Sequence, residues 1–354
     1  MTEKMNLIVN RIPSPTWNWL KMNEIRAKEV AVSSDAAFSL LLPEGMGGYV
    51  ASASRLPQVR TGLGYDLDRA FETVRQTSRL ITIPEGDHFV QPARVEMDLS
   101  ARKATGNQLE IHAAHDSEAT VIVNLRALKD QKGDAIVQIK YDIQEHAVLK
   151  LVTVQSAGQG LRVFFDLGGQ LADSARFELT QVILGGQSCY GNYSALEGES
   201  SSVSTEIAYL IGQDESLDMN YVAIHTGRKT DTVMKVSGVL EDNARKNFRG
   251  TIDFRRGAKG ATGNELEEVL LMSDDVVNQT IPVILCQEED VEGNHGASIG
   301  KLDESLLFYL QSRGLSLDEI YQMMSRAKIE AVSSKIEDQK TREDILAVLD
   351  QREG

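Results

Sequence analysis

Cysteine is nearly absent from this 354-residue chain: Cys189 and Cys286 are the only two. That excludes a disulfide framework, and it excludes a four-thiolate zinc or cluster site built by one copy alone. Aromatic residues make up only 6%, too few to interleave with basic residues in the manner of single-strand nucleic-acid readers. No apolar run is long enough to predict a bilayer-spanning segment. The N-terminus, Met1-Thr2-Glu3-Lys4, lacks the basic-then-apolar pattern of a secretory signal, so the expected location is the cytoplasm. Positive charge is also short, with 37 Lys and Arg against 52 Asp and Glu and a formal charge of −15. Phosphate backbones and anionic lipids bind Lys and Arg clusters, so neither nucleic acid nor a membrane surface is an expected partner. The glycine-bearing stretches match no Walker A or dinucleotide fingerprint, so the chain is not expected to be an ATP-hydrolysing enzyme itself.

What is present divides into three regions. Residues 1–90 are expected to form a mixed helical region. There Pro13-Ser14-Pro15-Thr16 and Trp17-Asn18-Trp19-Leu20 suggest a turn feeding a short helix toward Lys28, and Leu67, Phe71 and Val74 recur at helical spacing. Residues 91–300 change period. Runs such as Val95–Leu99, Thr120–Leu125, Ile136–Tyr141, Val148–Val152, Val163–Leu167 and Phe177–Val182 are short and β-rich, and several alternate apolar with polar residues. Gly, Asn, Asp and Ser clusters separate them and no helical pattern intervenes. A sandwich, a barrel and a parallel β-helix all produce such a series, and its length favours the stacked solenoid. Residues 301–354 return to helical spacing. Asp303 is a candidate cap before Leu306–Leu310, Gly314 a stop, Ser316-Leu317-Asp318-Glu319 a capping box, and Thr341 a cap for a last helix.

Between Tyr221 and Ala331 an ordered series of motifs stands out. It comprises Asn247-Phe248-Arg249-Gly250-Thr251-Ile252, Ala258, Thr262, Leu270-Leu271-Met272-Ser273-Asp274 and Pro282. It continues with Asp290-Val291, His295-Gly296-Ala297-Ser298 and Leu307-Phe308-Tyr309-Leu310-Gln311-Ser312-Arg313-Gly314. This series resembles the C-terminal part of the SufB/SufD family, scaffold subunits of iron–sulfur cluster assembly. The resemblance implies a right-handed parallel β-helix core flanked by N- and C-terminal helical segments. It implies pairing through the end of that core, with a SufB-type paralogue or an identical copy. It also implies an ABC-type ATPase partner, SufC, docked on the C-terminal helices through a surface drawn from Leu306, Phe308, Tyr309, Leu310, Arg313, Gly314, Ile320 and Met324. ATP hydrolysis would belong to that partner, and the chain itself would be a scaffold.

His295, expected on a Gly-flanked turn, occupies the position of the histidine that the family offers as a cluster ligand. A hydrogen-bonded turn histidine is the alternative. Neutral imidazole is a good ligand for iron, so the resemblance makes His295 the candidate metal- and cluster-binding residue. The cluster would be transient and shared with the partner subunit, and participation of a flavin is left open. SufD proteins commonly carry a cysteine where this chain has Gly293, and SufB-type chains carry Glu where it has Gly296. The chain is thus SufD-like there, and most thiolates would come from the partner. Cys189 and Cys286 are read as inert thiols, Cys286 as a core residue. The run from Glu288 to Glu292 is read as a solvated acidic edge, and His112, His115 and His225 as structural. The basic cluster around Arg245, Lys246, Arg249, Arg255, Arg256 and Lys259 is read as a salt-bridging surface. Two rival classes are an exported β-helix polysaccharide lyase or hydrolase, and an adaptor that binds an ATPase without touching iron.

Overall fold

The computed structural model describes residues 2–34, 38–99, 104–128 and 130–353. The chain opens with an antiparallel hairpin, β1 (Thr2–Val9) and β2 (Ile25–Ser33), followed by β3 (Phe38–Leu41), β4 (Gly47–Ala51) and helix α1 (Tyr65–Val74). Beyond α1, successive strands alternate between two parallel sheets. The odd sheet stacks β5 (Ser78–Ile83), β7 (Ala104–Ala113), β9 (Gly133–Ile143) and β11 (Leu161–Leu171). It continues through β13 (Gln187–Leu196), β15 (Ser216–His225), β17 (Arg245–Phe254) and β19 (Val277–Cys286). The even sheet stacks β6 (Ala93–Asp98), β8 (Glu118–Arg126), β10 (Val148–Ser156) and β12 (Arg176–Leu184). It ends with β14 (Ser202–Ile211), β16 (Asp231–Leu240), β18 (Ala261–Leu271) and β20 (Val291–Gly300). This is a mainly β solenoid of about 8 turns, the architecture that the resemblance implied.

Register is unbroken from rung to rung: Glu118 pairs with Val148, Val148 with Arg176, and Arg176 with Ser202. Alternation along each strand sends one set of side chains into the coil. There Val121, Leu151, Leu179, Phe165 and Tyr141 are fully or almost fully buried. Rings stack between rungs, Tyr141 on Phe177 with centroids 4.1 Å apart and Phe165 on Tyr190 at 4.9 Å. One corner repeats closely. Residues 114–117, 144–147, 172–175 and 198–201 each close a turn in which the fourth N–H donates to the first carbonyl. The third residue (Asp116, His146, Ser174, Ser200) has φ near +55 to +60°, and the fourth (Ser117, Ala147, Ala175, Ser201) is buried. The repeat therefore lives in backbone conformation and residue size, and different letters satisfy it.

The two ends of the chain clip to opposite outer faces. The N-terminal hairpin and α1 cover the odd sheet, burying Leu7, Val9, Val30, Leu67 and Phe71 against Ile136 and Phe164. Trp17 does not lead into a helix toward Lys28. A single 3-10 turn, Asn18–Leu20, precedes β2, because Val30 and Val32 need the flat outer face of the sheet and a strand presents them to it. Two helices cover the even sheet. After α2 (Glu304–Ser312), α3 (Leu317–Ser333) and α4 (Gln339–Glu353) bury Ile320, Ile329, Val332, Ile345 and Leu349 against Val182, Ala208, Leu210 and Val239. Asp303 caps α2 through Ser305 N at 2.9 Å, and the Ser316–Glu319 capping box opens α3. The last helix is capped by Asp338, which accepts from Thr341 N and Oγ1 at 2.8 and 2.7 Å; Thr341 is the donor rather than the cap.

Arg249 illustrates how the N-terminal cover is held. It points out of the odd sheet yet is fully buried, donating to Asp218 Oδ1 at 2.7 Å and to the carbonyl of Met22. Asn10 donates to the same carboxylate oxygen at 2.6 Å. Arg249→Met leaves a buried carboxylate without its cation, a change that costs about 3–5 kcal/mol. Hydrogen exchange should then accelerate across residues 2–34 while α3 stays protected; unchanged exchange in the hairpin would show that other contacts hold it.

Candidate metal-binding end of the coil

The first rung of the solenoid is covered by short antiparallel strands, β3 on β6 and β4 on β5. The last rung is not. Strands β19 and β20 form the outer edges of their sheets, so each presents unpaired backbone N–H and C=O groups. Residues from Val277 to Leu285 that would face a further rung are only half buried, among them Ile281, Pro282, Val283 and Ile284. The acidic turn from Glu288 to Asp290 borders this end, with Glu288 accepting from Gly257 N at 3.0 Å.

His295 sits mid-strand on β20 rather than on a turn, and it is exposed. Its orientation follows from its neighbours. A Cβ on Gly293 would meet Phe254 and Ile284, inside the coil, whereas one on Gly296 would meet the outward Leu266. His295 therefore shares the inward face of β20, above the coil's mouth, where no further rung covers it. Its register partner one rung below is Glu265, which is almost fully buried with its carboxyl pressed against Gly250. Two residues along β18, Glu267 is buried against the Lys246 ammonium, and Thr280 Oγ1 joins both, 2.9 Å from Lys246 Nζ and 2.7 Å from Glu267 Oε2. Burial pushes Lys246 down despite Glu267. The interior of the coil thus turns polar just beneath His295.

Cys286 ends β19 and is exposed, not a core residue, since the strand above which it would pack is missing. Cys189 lies within β13 beneath the N-terminal cover, and burial together with Asp218 pushes its thiol well up, leaving it a poor thiolate. His225 is buried between the Thr230 and Thr232 hydroxyls at 2.7 and 3.0 Å, and burial lowers it to about 4. His112 pairs with Asp142 at 2.9 Å on the far rungs. Among the described residues no group of three or more His, Cys, Asp or Glu side chains is arranged to hold a metal ion. A metal at His295 would therefore take further ligands from a second chain.

A scan of family models matches residues 97–328 to the domain described as "SUF system FeS cluster assembly, SufBD core domain". The chain belongs to the SufBD family. Among its curated relatives, SufD of Bacillus subtilis is 23% identical over 252 residues, which cover 70% of this chain and 57% of that protein. SufD of Escherichia coli is 25% identical over 240 residues, covering 68% and 57%. SufB of Bacillus subtilis is 28% identical over a shorter 141 residues. The chain spans about half the length of the two SufD relatives it matches.

Sequence reasoning missed the polar interior of this SufBD-family chain. Lys246 and Arg249 looked like parts of one surface patch, yet the strand splits them: Lys246 enters the coil and Arg249 leaves it under the N-terminal cover. The signal was available as alternation in Lys246, Phe248, Gly250, Ile252 and Phe254. On the helices, Ile320 is fully buried, with Leu310 and Met324 packed beside it. Ile320 is thus removed from the candidate docking residues, because the second core needs it. Leu306, Phe308 and Tyr309 remain exposed, at 38%, 74% and 52%, and the Arg313 guanidinium lies 5.2 Å over the Tyr309 ring. Gly314 closes α2 with φ +94°.

Burial, reinforced by the charge of Glu267, raises Glu265 from 4.5 to about 7. The folded chain then holds a proton that the unfolded chain has released, so stability declines as pH rises from about 4.5 through 7. Glu265→Gln should remove part of that decline, gaining up to about 3 kcal/mol on the wild type between pH 4 and pH 8. Urea midpoints across that range measure it; an offset of equal size at every pH would contradict the assignment.

Proposed function

We propose that this chain is a SufD-like scaffold subunit of iron–sulfur cluster assembly. In this reading it pairs through the open end of its coil with a SufB-type chain or a second copy, and binds a SufC-type ATPase on α2 and the exposed side of α3. The observation that carries it is the exposed imidazole of His295 on the bare outer strand of the last rung. A partner strand added there would satisfy the edge hydrogen bonds and cover Ile281–Ile284. His295 would then lie at a seam, where ligands of both chains converge on iron held as cargo. Soft thiolates from the partner suit iron–sulfur chemistry, and one neutral imidazole completes the set. ATP-driven motion of the bound ATPase would act on α3, which packs across β12, β14 and β16, and so bias the seam between open and closed states.

His295→Ala in the co-expressed complex is expected to leave the subunits associated and to abolish cluster formation after anaerobic reconstitution with iron and sulfide. Undiminished absorbance of the cluster in that variant would remove His295 from the chemistry. Phe308→Asp tests the docking surface. It should lower capture of the SufC-type ATPase at least tenfold without altering the melting temperature, since the ring is largely exposed in the isolated chain. Equal capture would move the ATPase elsewhere.

A further inference from the structure

A second polar concavity lies on the outer face of the odd sheet, away from the inward-facing His295. Its volume is about 410 Å³, within the range of small-molecule sites. The floor is the sheet itself, with Tyr193 on β13, Asn220 on β15 and Asp253 on β17 pointing outward. One wall is the segment that follows β1, and the other is the loop leading into α1. That loop lies flat on the sheet because Gly62 and Gly191 face each other: a Cβ on Gly62 would fall 2.0 Å from Asn192 N, and one on Gly191 2.4 Å from Leu63 N. The loop is pinned there by Gly62 N donating to Leu167 O at 3.0 Å and Leu63 N to Asp166 Oδ1 at 2.7 Å.

Three independent features of this concavity call for a ligand. The first is unused acceptors: Asn220 and Asp253 are 1% and 5% exposed, and one Oδ1 on each has no hydrogen-bond partner. Buried oxygens left so cost free energy unless something donates to them. The second is an unneutralised cation. Arg11 is tied to Glu24 at 2.9 Å and Arg255 to Asp253 at 3.1 Å, whereas Arg60 makes no ion pair among the described residues and lies 4.7 Å over the Tyr193 ring. The third is the start of α1, a ten-residue helix whose first turn has no side-chain cap and opens onto the concavity at Gly64 and Tyr65. The Asp66 carboxylate also borders it but is occupied by Ile8 N at 2.9 Å.

We propose that this concavity binds a phosphorylated polyol. The phosphate lies against Arg60 and the start of α1, which no side chain caps, so that charge and helix dipole act together. Hydroxyl groups at the other end donate to Asn220 and Asp253. Sugar phosphates and nucleotides share this chemistry, and the Tyr65 and Tyr193 rings beside it would stack a base if one is present. This proposal is independent of His295 and of the assembly role.

Isothermal titration of the full chain with ribose 5-phosphate, AMP, adenosine and inorganic phosphate tests it. Ribose 5-phosphate and AMP should bind and adenosine should not; AMP binding tighter than ribose 5-phosphate identifies a nucleotide, and equal binding a sugar phosphate. Arg60→Gln, a change at an exposed position, should weaken binding at least tenfold with an unchanged melting temperature. Absence of heat with both esters, or wild-type affinity in Arg60→Gln, overturns the proposal. Inorganic phosphate binding as tightly as the esters overturns the role of Asn220 and Asp253.

Discussion

Parallel stacking in fixed register is the constraint from which the rest of this molecule follows. Each strand satisfies its backbone groups on the rungs above and below, so neither sheet can stop without exposing a row of N–H and C=O groups. At the N-terminal end β3 and β4 turn back over the first rung and become the edges themselves. At the C-terminal end the ten-residue β19 and β20 are the edges. The half-buried apolar residues of β19, the exposure of His295 and that of Cys286 are all consequences of the same missing rung.

The two outer faces are used differently. The even sheet is covered by helices whose apolar sides form a second core, braced by ion pairs such as Arg94–Asp338 and Arg352–Glu215. The odd sheet is covered by a hairpin and a short helix anchored through the buried Arg249–Asp218–Asn10 cluster. Because that cover touches the sheet through loops and glycines as well as apolar side chains, it leaves a polar hollow that a helix packed flat would fill. Beneath His295 the coil interior itself departs from an apolar core, with Lys246, Glu265, Glu267 and Thr280 replacing the aliphatic stacks of earlier rungs.

Much of this was readable in the letters. Alternation in segments such as Val148–Val152 marked the strands, and the caps at Asp303 and Ser316 marked the helices, because both signals act over a few residues. The solenoid repeat was hidden because the corners demand only a residue tolerant of positive φ followed by a small one. His-Ala, Ser-Ala and Ser-Ser all meet that demand at 146–147, 174–175 and 200–201. The strand Ile25–Ser33 was misread because propensity over nine residues says little when a sheet face decides the conformation. Cys286 was misread because an apolar run implies burial only where a neighbouring strand exists to bury it. The pairing of Lys246 with Glu267 joins residues on different strands, and only the coil's register brings them together.

The inequality of the two ends bears on how many copies can join. A solenoid bare at both ends would stack head to tail without limit, in the manner of a heterologous interface that never closes. Here the two termini differ: antiparallel strands of four and five residues edge one, and ten-residue parallel strands edge the other. In the proposed pairing, two coils meeting mouth to mouth would use the long edges of both, a contact that closes on itself.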